Sequence, residues 1–351
     1  MRTSRLTVLI LIVSSMFFTV ANAAQPTPSS WDHASAMAAV NSVNIDIEVN
    51  RIANLPSLAD GPTTIKNLRE LESRSDWPLP AREAVLFQFT RSLATLPRDA
   101  VDKDIMQHLS AYQARVLVPH EDHPENAIPL FNIRGAAAGV ENGWLRNESM
   151  AEALLIVETD STALISKYLD TDEPAQQSGY LDALRLTDTN EVQIVQSAAL
   201  EQLQQSPELT RLLATTSVLT ADPYAIRRVL VDGQGAALAT TFRKLGAQLD
   251  VSETATLLRF AIEQAPTQNA GLAIAAWWPV LRNDAATRQL MLDTLEDDKL
   301  GSSAALALAQ SPDIQTIHQL QLVAESNSTA ARRAQMALDI NRDLLIGEVR
   351  Q

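Results

Sequence analysis

The chain has 351 residues, with 28 basic against 42 acidic side chains, a formal net charge of −14, and no cysteine. The acidic surplus repels polyanions, which excludes nucleic acid and anionic lipid as expected partners. The missing cysteine excludes disulfides, a cysteine-borne lipid anchor and a thiol nucleophile, so stability must come from buried apolar surface, for which this length is ample.

The first residues read as an export signal. Arg2 and Arg5 precede an apolar run from Leu6 to Val20, and Ala21-Asn22-Ala23 has the small-x-small form of a cleavage site, with cleavage expected between Ala23 and Ala24. The run is about 15 residues, shorter than the ~20 that span a bilayer, and the arginines are not adjacent, so a twin-arginine signal is not supported. Export to the periplasm, or beyond the cell, is the expected destination. Removal of residues 1–23 leaves 26 basic and 42 acidic residues, a net charge of −16.

Ala24 to Ser30 is a polar, proline-containing leader with little to bury and is expected to be flexible. From Trp31 the spacing of Trp31, Met37 and Val40 predicts a helix. Val43, Ile45, Ile47 and Val49 then alternate with Asn44, Asp46 and Glu48, the period of a strand. The only other strand-like run is Arg115 to Val118, so helix is the preferred reading. Further helices are predicted at Thr63–Ser73, Ala81–Leu96 and Asp102–Gln113, punctuated by Pro62, Pro80 and Pro97. Residues 31–115 are thus expected to be an N-terminal helical region.

Residues 116–146 differ from their surroundings. His120-Glu121-Asp122-His123 lies between Pro119 and Pro124, with Glu125 behind it. Two imidazoles and several carboxylates supply donors for a divalent metal such as zinc. The spacing is not that of the helical zinc-protease motif, and Pro124 turns His123 away from helical angles. A polar connecting loop is therefore the simpler expectation. Gly135, Gly139 and Gly143 follow at four-residue spacing on one helical face. Each glycine inside a helix costs about 0.5–1 kcal/mol relative to alanine. Close approach of another helix is the expected compensation, and a ligand or the His120 loop over the bare backbone is the alternative.

From residue 147 to 345 the pattern is regular, about a dozen amphipathic helices joined by short loops that make neighbours antiparallel. Ser206-Pro207, Asp222-Pro223 and Ser311-Pro312 read as helix starts, and Asp188 with Glu191, and Asp250 with Glu253, have capping-box spacing. Ala273, Ala276 and Trp277 recur as Ala304, Ala307 and Leu308, and again as Ala334, Ala337 and Leu338, at offsets of 31 and 30. On these residues, within Gly301–Asp313 and Ser328–Asp343, the chain resembles the HEAT-like helical repeat proteins, with repeats shorter than the ~40 residues usual there. The resemblance implies an all-α fold, an α-solenoid of stacked antiparallel hairpins with a concave binding face, and no particular reaction. Trp277-Trp278-Pro279 is expected to end a helix, with one indole in the core and the other a candidate for a partner surface.

No nucleophile elbow or phosphate loop is present, and Glu148-Ser149 and Glu325-Ser326 lack the Gly- and Gln-rich core that accompanies such pairs in glycan-cleaving enzymes. Asn147-Glu148-Ser149 and Asn327-Ser328-Thr329 are formal glycosylation sequons, of consequence only in a eukaryotic secretory pathway. The expectation is an exported interaction or scaffold protein that binds a protein partner, with no catalytic set and no cofactor. Gly135, Gly139, Gly143, Trp277 and Trp278 are the interaction candidates. The alternative is a metal-binding protein or metal-dependent hydrolase using His120, Glu121, Asp122 and His123.

Overall fold

A computed structural model describes residues 29–53, 58–235, 237–311 and 313–349. The expected signal peptide and residues 24–28 of the leader lie outside the described residues. Among the described residues the chain is all-α in character, with eighteen α-helices and one sheet of three short strands. It divides into two compact units, Met1–Glu141 and Asn142–Gln351.

The first unit is built around one helix. It contains α1 (His33–Asn41), α2 (Ile45–Ala53), α3 (Gly61–Ser73), α4 (Leu79–Ser92) and α5 (Lys103–Ser110). The sheet comprises β1 (Ser29–Ser30), β2 (Val116–Pro119) and β3 (Ala127–Pro129), in the order β1-β2-β3, parallel then antiparallel. Helix α4 touches α1, α2, α3 and β2. It buries Ala81, Glu83, Val85, Leu86, Phe89 and Thr90, which point in all directions around its axis, as a helix enclosed by its neighbours must. Asp32, Asp60 and Asp102 cap α1, α3 and α5 by accepting from backbone N–H groups of Ser35, Thr63 and Asp104.

The Val43–Val49 alternation resolves to helix α2. Its buried face is Glu48 and Ile52, four apart, while Ile47 is 66% exposed. The Glu48 carboxylate is held by Arg51 at 2.7 Å and Arg74 at 3.8 Å. The strand positions beside β2 are taken by Ser29–Ser30 and Ala127–Pro129. The end of the expected flexible leader is therefore part of a sheet: Ser29 N–H donates to the Arg115 carbonyl at 2.7 Å.

Glu83 fastens that sheet to α4. Its carboxylate is completely buried and accepts the Arg115 N–H at 2.6 Å, the Tyr112 hydroxyl at 3.1 Å and the Val116 N–H at 3.3 Å. Burial pushes the Glu83 carboxyl above its ordinary value, against the lowering effect of these donors. Burial and the facing carboxylate push the Tyr112 phenol upward too.

The second unit begins within α6 (Ile133–Asp160), which runs unbroken through residues 146 and 147, where the glycine-rich helix was expected to give way to the array. Twelve helices follow: α7 (Ala163–Leu169), α8 (Pro174–Leu184), α9 (Thr189–Gln202), α10 (Thr210–Thr220), α11 (Pro223–Asp232), α12 (Ala237–Gln248), α13 (Val251–Gln264), α14 (Thr267–Leu281), α15 (Ala285–Thr294), α16 (Gly301–Ala309), α17 (Ile314–Ala324) and α18 (Thr329–Val349). Each even-numbered helix from α8 to α16 touches the next even-numbered one; α7 touches α9, and α11 touches α13. Cross-contacts such as α9 with α10, α13 with α14 and α17 with α18 join the two sets. One apolar core runs from Ala153 to Ala337.

Of the expected helix starts, Asp222 and Asp250 accept the N–H groups of Tyr224 and Glu253 at 2.9 and 2.7 Å. Asp188 and Ser206 make no side-chain capping bond, and Ser206 opens a short 3-10 turn. Asp313 caps α17 through the Thr316 N–H at 2.8 Å. The recurrent alanines fall on α14, α16 and α18, where Ala273, Ala304, Ala334 and Ala337 are fully buried.

Both tryptophans belong to the core, which corrects the expectation that one of them is available to a partner. Trp277 and Trp278 are 0% and 1% exposed. Their indole N–H groups donate to the Phe242 carbonyl at 2.6 Å and the Ser311 hydroxyl at 3.1 Å, so each large ring has its one polar atom satisfied internally. Pro279 does not end the helix; α14 continues to Leu281. Polar fasteners tie helix ends to later helices: the Asn269 amide donates to the Leu230 and Gly233 carbonyls at 2.9 and 3.0 Å. Arg333 donates to the Leu295 and Asp297 carbonyls at 2.7 and 2.8 Å.

Three outcomes follow from this packing. Glu83→Ala should destabilise the protein by about 3 kcal/mol in urea denaturation, because it leaves the Arg115 and Val116 N–H groups buried without an acceptor. Since folding raises the Glu83 pKa, the native state holds this proton more tightly than the unfolded chain. Its contribution is greatest below the unfolded pKa and falls as pH rises through the interval up to the folded pKa. The stability of the parent minus that of Glu83→Gln should therefore fall with rising pH across that interval; a signed difference that rises would contradict the assignment. Separately, a Cβ at Gly246 would lie 2.7 Å from Cδ1 of the buried Trp277 ring. Gly246→Ala should cost about 1–3 kcal/mol despite the better helix propensity of alanine, and a raised melting temperature would refute this packing.

Candidate functional site

The residues singled out in 116–146 are placed as follows. Strands β2 and β3 form a hairpin, and residues 120–126 are its loop. The His120 N–H donates to the Asn126 carbonyl at 2.8 Å, and Nδ1 of the His120 ring accepts the Asp122 N–H at 3.1 Å. The rings of His120 and His123 lie 5.6 Å apart between centroids, and His123 Nδ1 is 3.5 Å from Glu125. Glu121, Asp122 and His123 are exposed. Among the described residues no group of three or more His, Asp or Glu side chains is placed to share one metal ion. The loop thus brings the two imidazoles together and leaves their nitrogens in local hydrogen bonds and solvent.

The glycines of α6 do not receive a neighbouring helix. At Gly135 a Cβ would meet the Asn132 side chain, whose oxygen accepts the Gly135 N–H at 2.8 Å, so this glycine makes room for a helix cap. At Gly139 and Gly143 an added Cβ would meet nothing within 4 Å.

A concavity lies elsewhere, over α10, and α8 and α12 form its sides. It has a volume of about 680 Å³, within the range of ligand-sized clefts. Buried Leu181, Ala214 and Leu238 form an apolar floor with half-buried Val218 and Leu219. Thr210, Thr215, Thr240 and Thr241 add hydroxyls, and Arg185, Arg211 and Lys244 add three cations; no carboxylate lines the cleft. The periodicity of α10 produces this surface: Leu212, Leu213, Thr216 and Ser217 turn into the core, leaving Arg211, Thr215, Val218 and Leu219 on the other face. Gly235, at φ +87°, shapes the connection between α11 and α12 that closes one end.

The cations differ in their partners. Arg211 donates to the Ser178 hydroxyl at 3.0 Å, across to α8. Arg185 pairs with Asp182, a carboxylate that Arg146 also engages. Lys244 is exposed and forms no ion pair among the described residues.

Charge differs between neighbouring helices in the middle of the second unit, whereas α8 carries Asp182 and α18 carries Asp339 and Asp343. Helices α10, α12, α14 and α16 contain no Asp or Glu, and their only charged residues are Arg211, Arg243 and Lys244. The alternate helices α9, α11, α13 and α15 each carry at least one acid, among them Glu191, Asp232, Glu253 and Asp293. Whole-chain charge conceals this, since a net value of −14 averages over all helices; counting charge helix by helix is the sequence signal for the contrast, and it does not bring the three cations together.

No family model, curated protein or solved structure matches the chain. Among the described residues no helix is long and apolar enough to cross a membrane.

The hairpin loop offers a direct check. The double variant His120→Ala/His123→Ala should shift the melting temperature by less than about 2 °C, as exposed substitutions do, with or without added zinc ion. A zinc-dependent rise in the parent that the double variant lacks would show instead that the loop takes a metal.

Proposed function

We propose that this chain is an exported helical-repeat scaffold whose second unit is an α-solenoid of stacked hairpins, and that its even-numbered helices form the face that binds a partner protein. The observation that carries the reading is the cleft over α10. It spans three successive helices of one set, combines an apolar floor with a polar rim, and is lined by three cations and, among the described residues, no carboxylate.

Several features support it. The recurrence at 30–31 residues falls on α14, α16 and α18, and those helices touch in succession, as a repeat array whose units bury their faces only against neighbours requires. Apolar floor with charged rim is the usual anatomy of a protein interface. The reading assigns no catalytic residue, and the signal-like first 23 residues make the periplasm its expected compartment.

Site-specific cross-linking tests this. A photoreactive residue replacing Thr240, on α12 at the cleft, should trap a discrete partner in the cell of origin. The same residue replacing Thr256, exposed on α13, should not. Equal trapping at both positions, or trapping at Thr256 alone, would overturn the assignment of the binding face.

A further inference from the structure

We propose that the segment received by the α10 cleft is an acidic peptide, with Asp or Glu carboxylates meeting Arg185, Arg211 and Lys244 and an apolar side chain between them on Val218 and Leu219. The inference rests on the docking reading above and names the chemistry of the partner.

The argument is one of charge complementarity. In a chain with 42 acids and 28 bases, this cleft runs against the average: among the described residues it is lined by three cations and no carboxylate. Like charge opposite a ligand is the cheapest way to reject it, so the removal of one sign from a surface admits that sign in the partner. The local balance is positive even where an acid is near, because Asp182 is shared by Arg185 and Arg146. Arg211 spends one donor on a neutral hydroxyl and keeps the rest of its fork, which suits the bidentate geometry of a carboxylate. Lys244 adds an exposed charge from the opposite wall.

The shape favours a chain over a compact anion. The next two helices of the set, α14 and α16, contain no carboxylate, and Ala275 on α14 and Ser302 and Leu306 on α16 are exposed and neutral. A segment longer than the cleft that runs toward these helices meets no acid on them. A nucleic acid or an anionic bilayer would extend past three cations onto a strongly acidic protein, which disfavours both.

Fluorescence anisotropy on the full chain without its first 23 residues tests the proposal. The probe is a labelled ten-residue peptide of Glu with interspersed Leu and Ser, compared with its Gln and Lys analogues. The Glu peptide should bind at least tenfold more tightly than the Gln peptide, and the Lys peptide should not bind. The double variant Arg211→Glu/Lys244→Glu should weaken Glu-peptide binding at least tenfold. Lys66→Glu/Arg259→Glu, which changes net charge equally away from the cleft, should leave it within twofold, both variants being first matched to the parent by thermal melting. Equal binding of Glu and Gln peptides, equal loss in both variants, or displacement by free glutamate at the peptide's own concentration would overturn the proposal. Cross-linking at Thr240 separates this from failure of the docking reading. A partner trapped there and retained in Arg211→Glu/Lys244→Glu sinks the acidic-peptide inference alone, whereas no partner at Thr240 sinks the docking face itself.

Discussion

The second unit depends on how closely its even-numbered helices approach one another. Ala273, Ala304 and Ala334 are fully buried on α14, α16 and α18, and a side chain of one methyl group lets helix backbones come near without a void between them. The core does not rely on small residues alone. At α12 and α14 the arrangement inverts: Gly246 yields space and the Trp277 indole fills it, with its N–H on the Phe242 carbonyl. Either way the inward face of each helix is consumed by its neighbours, and only the outward face remains to interact.

Charge differs between neighbouring helices here. A carboxylate on α10, α12, α14 or α16 would be as soluble as one on α9 or α13, so solvation does not account for the absence of acids from these four helices. The cleft lies where α8 meets two of the carboxylate-free helices, α10 and α12, and its cations come one from each flank and one from the middle. Stacking thereby converts a pattern distributed over some sixty residues of sequence into one local surface.

The first unit solves a different problem. Short strands at a sheet edge are marginal by themselves, and β1 and β3 have only two and three residues. The Glu83 carboxylate compensates by holding the backbone at the entry of β2 from inside the core. The hairpin beyond it projects into solvent, which is why the His120–His123 pair, chemically the most suggestive stretch of the sequence, gathers no further ligands among the described residues.

Much of this was legible in the residues themselves. Helical periodicity located α3, α4 and α5 and the succession of helices after residue 147, and the Asp222 and Asp250 caps are local chemistry that needs no tertiary context. The alanine recurrence marked helices that do touch. What local pattern could not decide was anything set by a distant partner. Residues 45–53 are helical despite the Val43–Val49 alternation, and the buried Glu48 there is met by Arg74 from the end of α3. The spacing of Gly139 and Gly143 could not show that an added Cβ would meet nothing within 4 Å. Trp278 is hidden by Ser311, thirty-three residues away. The cleft was equally invisible, since Arg185, Arg211 and Lys244 become neighbours only when α8, α10 and α12 stack side by side. Sequence by itself determined the helices and their faces, because these follow from spacing within one turn or two. Which faces meet, and therefore which charges share a surface, was decided only by the tertiary structure, because long-range contacts select among arrangements that local periodicity leaves equally satisfied.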